Sequence, residues 1–179
     1  MVDFFTSDSH LSHFNVIRYD NRPFSSIEEH DETLIQNWNA VVRRNDIVYH
    51  CGDFMFGGRE KQEQVIKKLN GRIRLIKGNH DLKKSPNGFE WVKDIAVVKV
   101  EGKKICLCHY PLASPPRCDY HLFGHSHING PHRYINYSPE FRLPAYNMYV
   151  GFWNWRPVTL EQILEVKINK VLRIEDIQE

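Results

Sequence analysis

The chain has 179 residues and a formal net charge of +2, with 41% hydrophobic and 26% charged residues, which are the proportions of a soluble globular protein long enough for a real core. So small a net charge, with no block of like charges, argues against a protein that coats long nucleic acid or lies on a membrane surface. The opening residues lack a basic segment and a long apolar run, so no signal peptide is expected, and no segment is long enough to span a bilayer. The cysteines Cys51, Cys106, Cys108 and Cys118 lack the paired spacing of a structural zinc site. They read as reduced, buried thiols of a cytoplasmic protein.

Taken in order, residues 2–7 are a compact apolar and β-branched run, expected as the first core strand. It ends in Asp8-Ser9-His10, with His13 and Asn15 just beyond. Residues 19–24 contain Asn-Arg-Pro and read as loop. Ser26 and Glu29 have the capping-box spacing, so a helix should run to about Val42 with Leu34, Ile35, Trp38 and Val41 or Val42 facing inward. Residues 47–51 form a second strand ending in Gly52-Asp53. Residues 59–69 form a second amphipathic helix closed by Asn70-Gly71.

Residues 73–76 are the third strand and lead into Gly78-Asn79-His80-Asp81. Residues 95–100 and 104–108 flank Glu101-Gly102-Lys103 and read as a hairpin whose second arm ends in His109. Residues 111–118 are loop, and 120–123 are a short strand ending in Gly124-His125-Ser126-His127. Residues 128–144 give no clear pattern. Residues 146–152 read as a strand, 159–162 cap a last short helix, and the tail from Val171 reads as a closing strand. The early strand–helix alternation predicts parallel pairing, and the later hairpin predicts mixed sheets. No linker divides the chain, so a single domain over 1–179 is expected.

The chain has ten histidines, and several fall just past strand ends. Asp8 and His10, then Asp53, then Asn79 and His80, then His109, then His125 and His127 each follow a predicted strand. In an extended turn, residues two apart point the same way, so Asp8 with His10, and His125 with His127, can each converge. The set supplies carboxylate, amide and imidazole donors with no thiolate, which suits Mn, Fe, Ni, Co or Zn. It is more than one ion needs and fits two, with one carboxylate bridging.

Asp8-x-His10, Gly52-Asp53, Gly78-Asn79-His80-Asp81, His109 and Gly124-His125-Ser126-His127, in that order, resemble the motif series of the calcineurin-like metallophosphoesterase family. With Asn21-Arg22-Pro23-Phe24 early and Arg156-Pro157-Val158 late, the layout is similar to the small bacterial and phage members. The resemblance implies an α/β fold, a four-layer αββα sandwich with two mixed β-sheets. It implies two divalent metal ions; the type of the donors makes manganese the expected one. Asp8, His10 and His127 would hold the first ion, Asn79, His109 and His125 the second, and Asp53 would bridge. His80 would stand beside the leaving-group oxygen as general acid. Two such ions, about 3.5–4 Å apart, would clamp the phosphoryl oxygens and activate the hydroxide that attacks phosphorus in line. Asp81 is a candidate to orient His80 or, equally, a helix N-cap.

His13, Asn15, Arg22 and Asn147 are candidate substrate contacts, as are the loop arginines Arg117 and Arg133. Tyr146, Tyr149, Phe152, Trp153 and Trp155 could stack a nucleobase, although core packing is the commoner use of such residues. His50 is expected within a strand, and His30, His121 and His132 in packing or at the surface. The expected function is a metal-dependent phosphoric ester hydrolase acting on phosphodiesters or small phosphomonoesters. Its partner would be a small phosphoester, nucleotides included, with no membrane partner. Rival readings are a nuclease or cyclic-nucleotide phosphodiesterase, and a non-catalytic scaffold of the same fold.

Overall fold

In a computed structural model the described residues are 1–127, 134–137 and 143–165. Parallel strands covered on both faces should read as unbroken apolar runs. The first strands do: β1 (Asp3–Thr6) and β2 (Ile47–His50) are almost wholly buried. With β3 (Arg72–Ile76) and β4 (Trp91–Lys93) they pair in parallel, in the order β1-β2-β3-β4. A short strand, Val158–Thr159, pairs antiparallel on the outer side of β1.

The second sheet starts from the hairpin of β5 (Ile95–Val100) and β6 (Lys103–Cys108). Its turn residues Glu101 and Gly102 both take positive φ, 49° and 79°, as a two-residue hairpin of matching twist requires. β7 (Tyr120–Phe123), β8 (Tyr134–Tyr137) and β9 (Leu143–Asn147) complete it in the order β5-β6-β7-β9-β8. β6, β7 and β9 are parallel, while β5 and β8 are antiparallel edges, so this sheet is mixed, as is the first once its Val158–Thr159 strand, β10, is counted.

The sheets pack face to face. Phe5, Tyr49 and Ile76 of the first meet Ile105, Leu107 and Leu122 of the second in one buried cluster. Strand alternation turns Val48, Ile73 and Leu75 to the opposite face, where they meet Leu34 and Trp38 of α2 (Ile27–Val41) and Ile66 of α3 (Arg59–Ile66). Ser26 caps α2 by accepting from Glu29 N–H at 3.1 Å. The Glu29 carboxylate turns to Ser25 rather than back to Ser26, so half of the expected capping box forms. At the last helix, α4 (Leu160–Leu164), the full box is present between Thr159 and Gln162, and Leu160 and Ile163 join the inter-sheet core. Two mixed sheets with helices confirm the predicted α/β class; α2 and α3 supply the helical layer over the first sheet.

Several expectations shift. α1 (Phe14–Tyr19) occupies a stretch not expected to be helical; its N-cap, His13, makes no side-chain capping bond. β4 falls in a stretch where the sequence pattern predicts no strand. Residues 67–69 lie beyond the end of α3. The strand expected at 146–152 is β9, ending at Asn147, followed by a 3-10 turn, Val150–Trp153. The aromatics there pack: Tyr146, Tyr149 and Trp153 are buried, and Phe152 and Trp155 are half-buried against the cores. The closing strand from Val171, with His132 and Arg133, lies outside the described residues.

Because β1, β2 and β3 run in parallel, their C-terminal ends share one edge of the sheet. β6, β7 and β9 do the same in the other. The two edges are stitched directly: Ser7 N–H donates to Met148 O at 2.9 Å, and Val150 N–H to Ser7 O at 3.1 Å. This joint brings loops from both sheets over one spot. Leu122 is fully buried between the sheets. Leu122→Ala is expected to cost about 2–5 kcal/mol, read by chemical denaturation of the wild type and variant.

Candidate metal centre

The turn after β1 carries Asp8 and His10, and it is not extended. Both residues are left-handed, with φ of 54° and 48°. They converge because left-handed backbone folds the chain back on itself, not because a strand alternates. Asp53 and His125 share this conformation, at 56° and 66°. Left-handed backbone costs a non-glycine residue about 1–2 kcal/mol, so surrounding contacts must hold it. They do. Asp8 N–H donates to Gly52 O at 2.9 Å, and His10 N–H to Asp53 O at 3.0 Å. Ser9 Oγ meets His50 Nε2 at 2.8 Å, which gives that strand histidine its task.

Arg22 holds the same turn from behind, and this corrects its expected role as a substrate contact. It is buried, and all five of its donors are taken. Nε and Nη2 reach Asp20 at 3.2 and 3.0 Å. Nη2 also reaches Asp8 O at 2.9 Å; Nη1 reaches Ser9 O at 3.0 Å and His30 Nε2 at 2.8 Å. No donor is left for a phosphate.

Asp53 leaves β2 and Gly78 leaves β3 in contact. A Cβ on Gly78 would stand 2.2 Å from Asp53 Oδ1, so only glycine fits. Asp81 ties the two loops together. Its carboxylate accepts from Gly78 N at 2.8 Å and from Asp53 N and Phe54 N at 2.9 Å. It makes no hydrogen bond to the His80 ring and starts no helix, so both expected roles give way to this one. His80 N–H donates to Asp53 Oδ1 at 2.9 Å, which leaves the His80 ring exposed at the rim.

The second sheet supplies the remaining imidazoles. His109 Nδ1 bonds Cys51 O at 2.8 Å, which turns Nε2 toward Asn79 Oδ1 at 3.0 Å and Asp53 Oδ2 at 3.5 Å. His125 Nδ1 meets the same Asn79 oxygen at 3.1 Å, and its backbone N–H donates to Asp8. Glycine is required just before it, since a Cβ on Gly124 would lie 2.5 Å from Asp8 Oδ2. His127 Nε2 lies 3.1 Å from Asp8 Oδ1 and 3.2 Å from His10 Nε2.

Asn147 does not face this cluster as a substrate contact. Its amide donates to Ser126 O and accepts from Tyr149 N–H at 2.9 Å, so it braces the loop between His125 and His127. His13 stacks on Phe56 at 3.9 Å with its ring 5.5 Å from His10 and 6.4 Å from His80, beside the cluster. Asn15 is exposed on α1, and Arg117 is an exposed loop residue.

Among the described residues, donor atoms of Asp8, His10 and His127 lie within 4.8 Å of one another, as do those of Asp8, Asp53 and His109. Asp53 Oδ2 sits between them, 3.6 Å from His10 Nε2 and 3.5 Å from His109 Nε2. Burial alone would raise the Asp8 carboxyl, but the hydrogen bond and charge of His127, then His109 and His10, hold it well below the usual range. Burial pushes His10 down to about 3. For His127 burial is outweighed by hydrogen bonds to Asp20 and Asp8, which lift it to about 9. Buried carboxylates and imidazoles converging without thiolate fit a borderline-to-hard divalent cation. Asp20 was not singled out from the sequence; its only signal is a carboxylate two positions before Arg22.

The chain belongs to the calcineurin-like phosphoesterase superfamily, whose domain model matches residues 4–136. A protein of Methanocaldococcus jannaschii, itself uncharacterised, is 36% identical over 172 residues, 93% of this chain and 92% of that protein. The Gene 66 protein of Mycobacterium phage L5 is 39% identical over 80 residues, 43% of this chain and 38% of its own length. The crystal structure of an Aquifex aeolicus protein of unknown function superposes with a TM-score of 0.69 at 25% identity, over 92% of this chain and 98% of that one.

Arg22→Ala leaves the buried Asp20 carboxylate without its cationic partner and the Asp8 and Ser9 carbonyls without their donor, and is expected to cost about 3–5 kcal/mol of stability, read by chemical denaturation. A group that only touched substrate would leave stability unchanged.

Proposed function

We propose that the protein is a dinuclear metal-dependent phosphoesterase that hydrolyses phosphodiesters or small phosphomonoesters. The observation that carries this is the pair of overlapping donor groups built on Asp8. Asp8, His10 and His127 would hold one divalent ion; Asn79, His109 and His125 the other. Asp53 would bridge, a role supported by its near-equal distances to His10 and His109. Mn²⁺ suits the donor set. When bound, such ions supply positive charge for the phosphoryl oxygens and lower the pKa of an attacking water.

The chain's own groups do the rest. His109 presents Nε2 because Cys51 O takes Nδ1. Asp81 keeps the loops after β2 and β3 in register by binding three main-chain amides. His80, anchored through its backbone to Asp53, places an exposed imidazole 5.5 Å from the His10 ring. There it would donate a proton to the departing alkoxide, a contribution of about 10²–10⁴-fold. His13, whose ring lies 6.4 Å from that of His80, would meet the rest of a substrate, as would Asn15 two positions further on. A non-catalytic scaffold of this fold needs no such set of donors, and here every position is filled.

Metal-stripped protein given bis-p-nitrophenyl phosphate should turn over only when Mn²⁺ is added, and His80→Ala should lower kcat about 10²–10⁴-fold. Equal rates for His80→Ala and wild type would remove the proton-donor role. Absence of turnover of this diester and of p-nitrophenyl phosphate, with two ions bound, would favour the scaffold.

A further inference from the structure

Asp20 caps the C-terminal end of α1 and is 7% exposed. Arg22 donates twice to its carboxylate, and the Tyr149 hydroxyl donates at 3.4 Å. His127 Nδ1 lies 2.9 Å from it. Tyr149 also stacks on the His127 ring, with centroids 5.0 Å apart and planes 11° apart. The imidazole is therefore gripped along one face and at one nitrogen. Its other nitrogen, Nε2, is the one that meets Asp8 and His10.

A neutral imidazole has one N–H and one lone pair. A carboxylate accepts and cannot donate, so Asp20 holds an N–H at Nδ1, and Nε2, which faces Asp8 at 3.1 Å, is the nitrogen left to take either a proton or an ion. We propose that Asp20 is a positioning residue: it fixes the Nδ1–H form of His127 and thereby sets the metal affinity of the Asp8–His10–His127 group. This rests on the reading of that group as a metal site.

Two features make Asp20 more than a local brace. Its partner Arg22 also binds the main-chain oxygens of Asp8 and Ser9, so one buried ion pair governs the turn that carries Asp8 and His10 together with the ring of His127. In addition, the two donor groups differ. His109 is oriented by a neutral carbonyl, that of Cys51, whereas His127 is oriented by an anion. An anionic partner strengthens the ligand and stiffens its orientation, and its loss typically costs about 10–100-fold in metal affinity. The loss should fall on one ion and spare the other.

The test is calorimetric titration of Mn²⁺ into metal-stripped wild type, Asp20→Asn, His127→Ala and the double variant. Two binding events are expected for the wild type. Asp20→Asn should weaken one of them about 10–100-fold, the same event that His127→Ala removes. In the His127→Ala background, Asp20→Asn should add nothing. Unchanged affinity in Asp20→Asn overturns the proposal. So does equal weakening of both events, or further loss in the double variant, since either means a general effect on the fold. If the wild type binds no Mn²⁺, the metal reading fails first and the proposal falls with it. Should Asp20→Asn not fold, ¹⁵N NMR of the Zn²⁺-loaded wild type decides. A protonated Nδ1 with a metal-bound Nε2 on His127 is expected; the reverse overturns the assignment.

Discussion

Asp8 and Asp53 are buried carboxylates whose oxygens come within 4.8 Å of each other and of His109. Two like charges at ~4 Å repel by about 4 kcal/mol at an effective dielectric constant of ~20. Burial adds the loss of hydration. Such a pair stays ionised only where positive charge and N–H donors face it. Here His127, His10 and His109 face it through their rings, and the backbone N–H groups of His80 and His125 point at its oxygens. The architecture of both sheet edges follows from bringing these groups to one place.

The fold does this with parallel strands and local strain. Parallel pairing puts the ends of β1, β2 and β3 along one edge, and the Ser7–Met148 link docks that edge on the second sheet. Left-handed backbone at Asp8, His10, Asp53 and His125 then folds four donors inward. Cores tolerate such strain where hydrogen bonds leave the backbone no better choice. Arg22, with all five N–H groups taken, and Asp81, bonded to three main-chain amides, enforce it here. Neither needs to touch a substrate to matter for one.

Much of this was legible in the chain. Asp8, Asp53, Asn79, His109 and His125 follow apolar strands directly, so the edge they share could be read from the order of the motifs. Mixed sheets followed from the change of rhythm at Glu101-Gly102. Burial could not be read. Arg22 in an Asn-Arg-Pro loop looks like an exposed phosphate contact, and only the packed structure shows the four acceptors that take its five N–H groups. Asn147 looked free for the same reason. Asp20 was missed because the contact that defines it spans 107 residues. α1 has six residues and no side-chain cap, and β4 has three, too short for either periodicity to show.

The most direct measurement is anomalous diffraction from crystals soaked in Mn²⁺. Two peaks are expected: one among Asp8, His10 and His127, the other among Asn79, His109 and His125, with Asp53 in contact with both. A single peak at saturating Mn²⁺, or none within this cluster, would contradict the dinuclear centre.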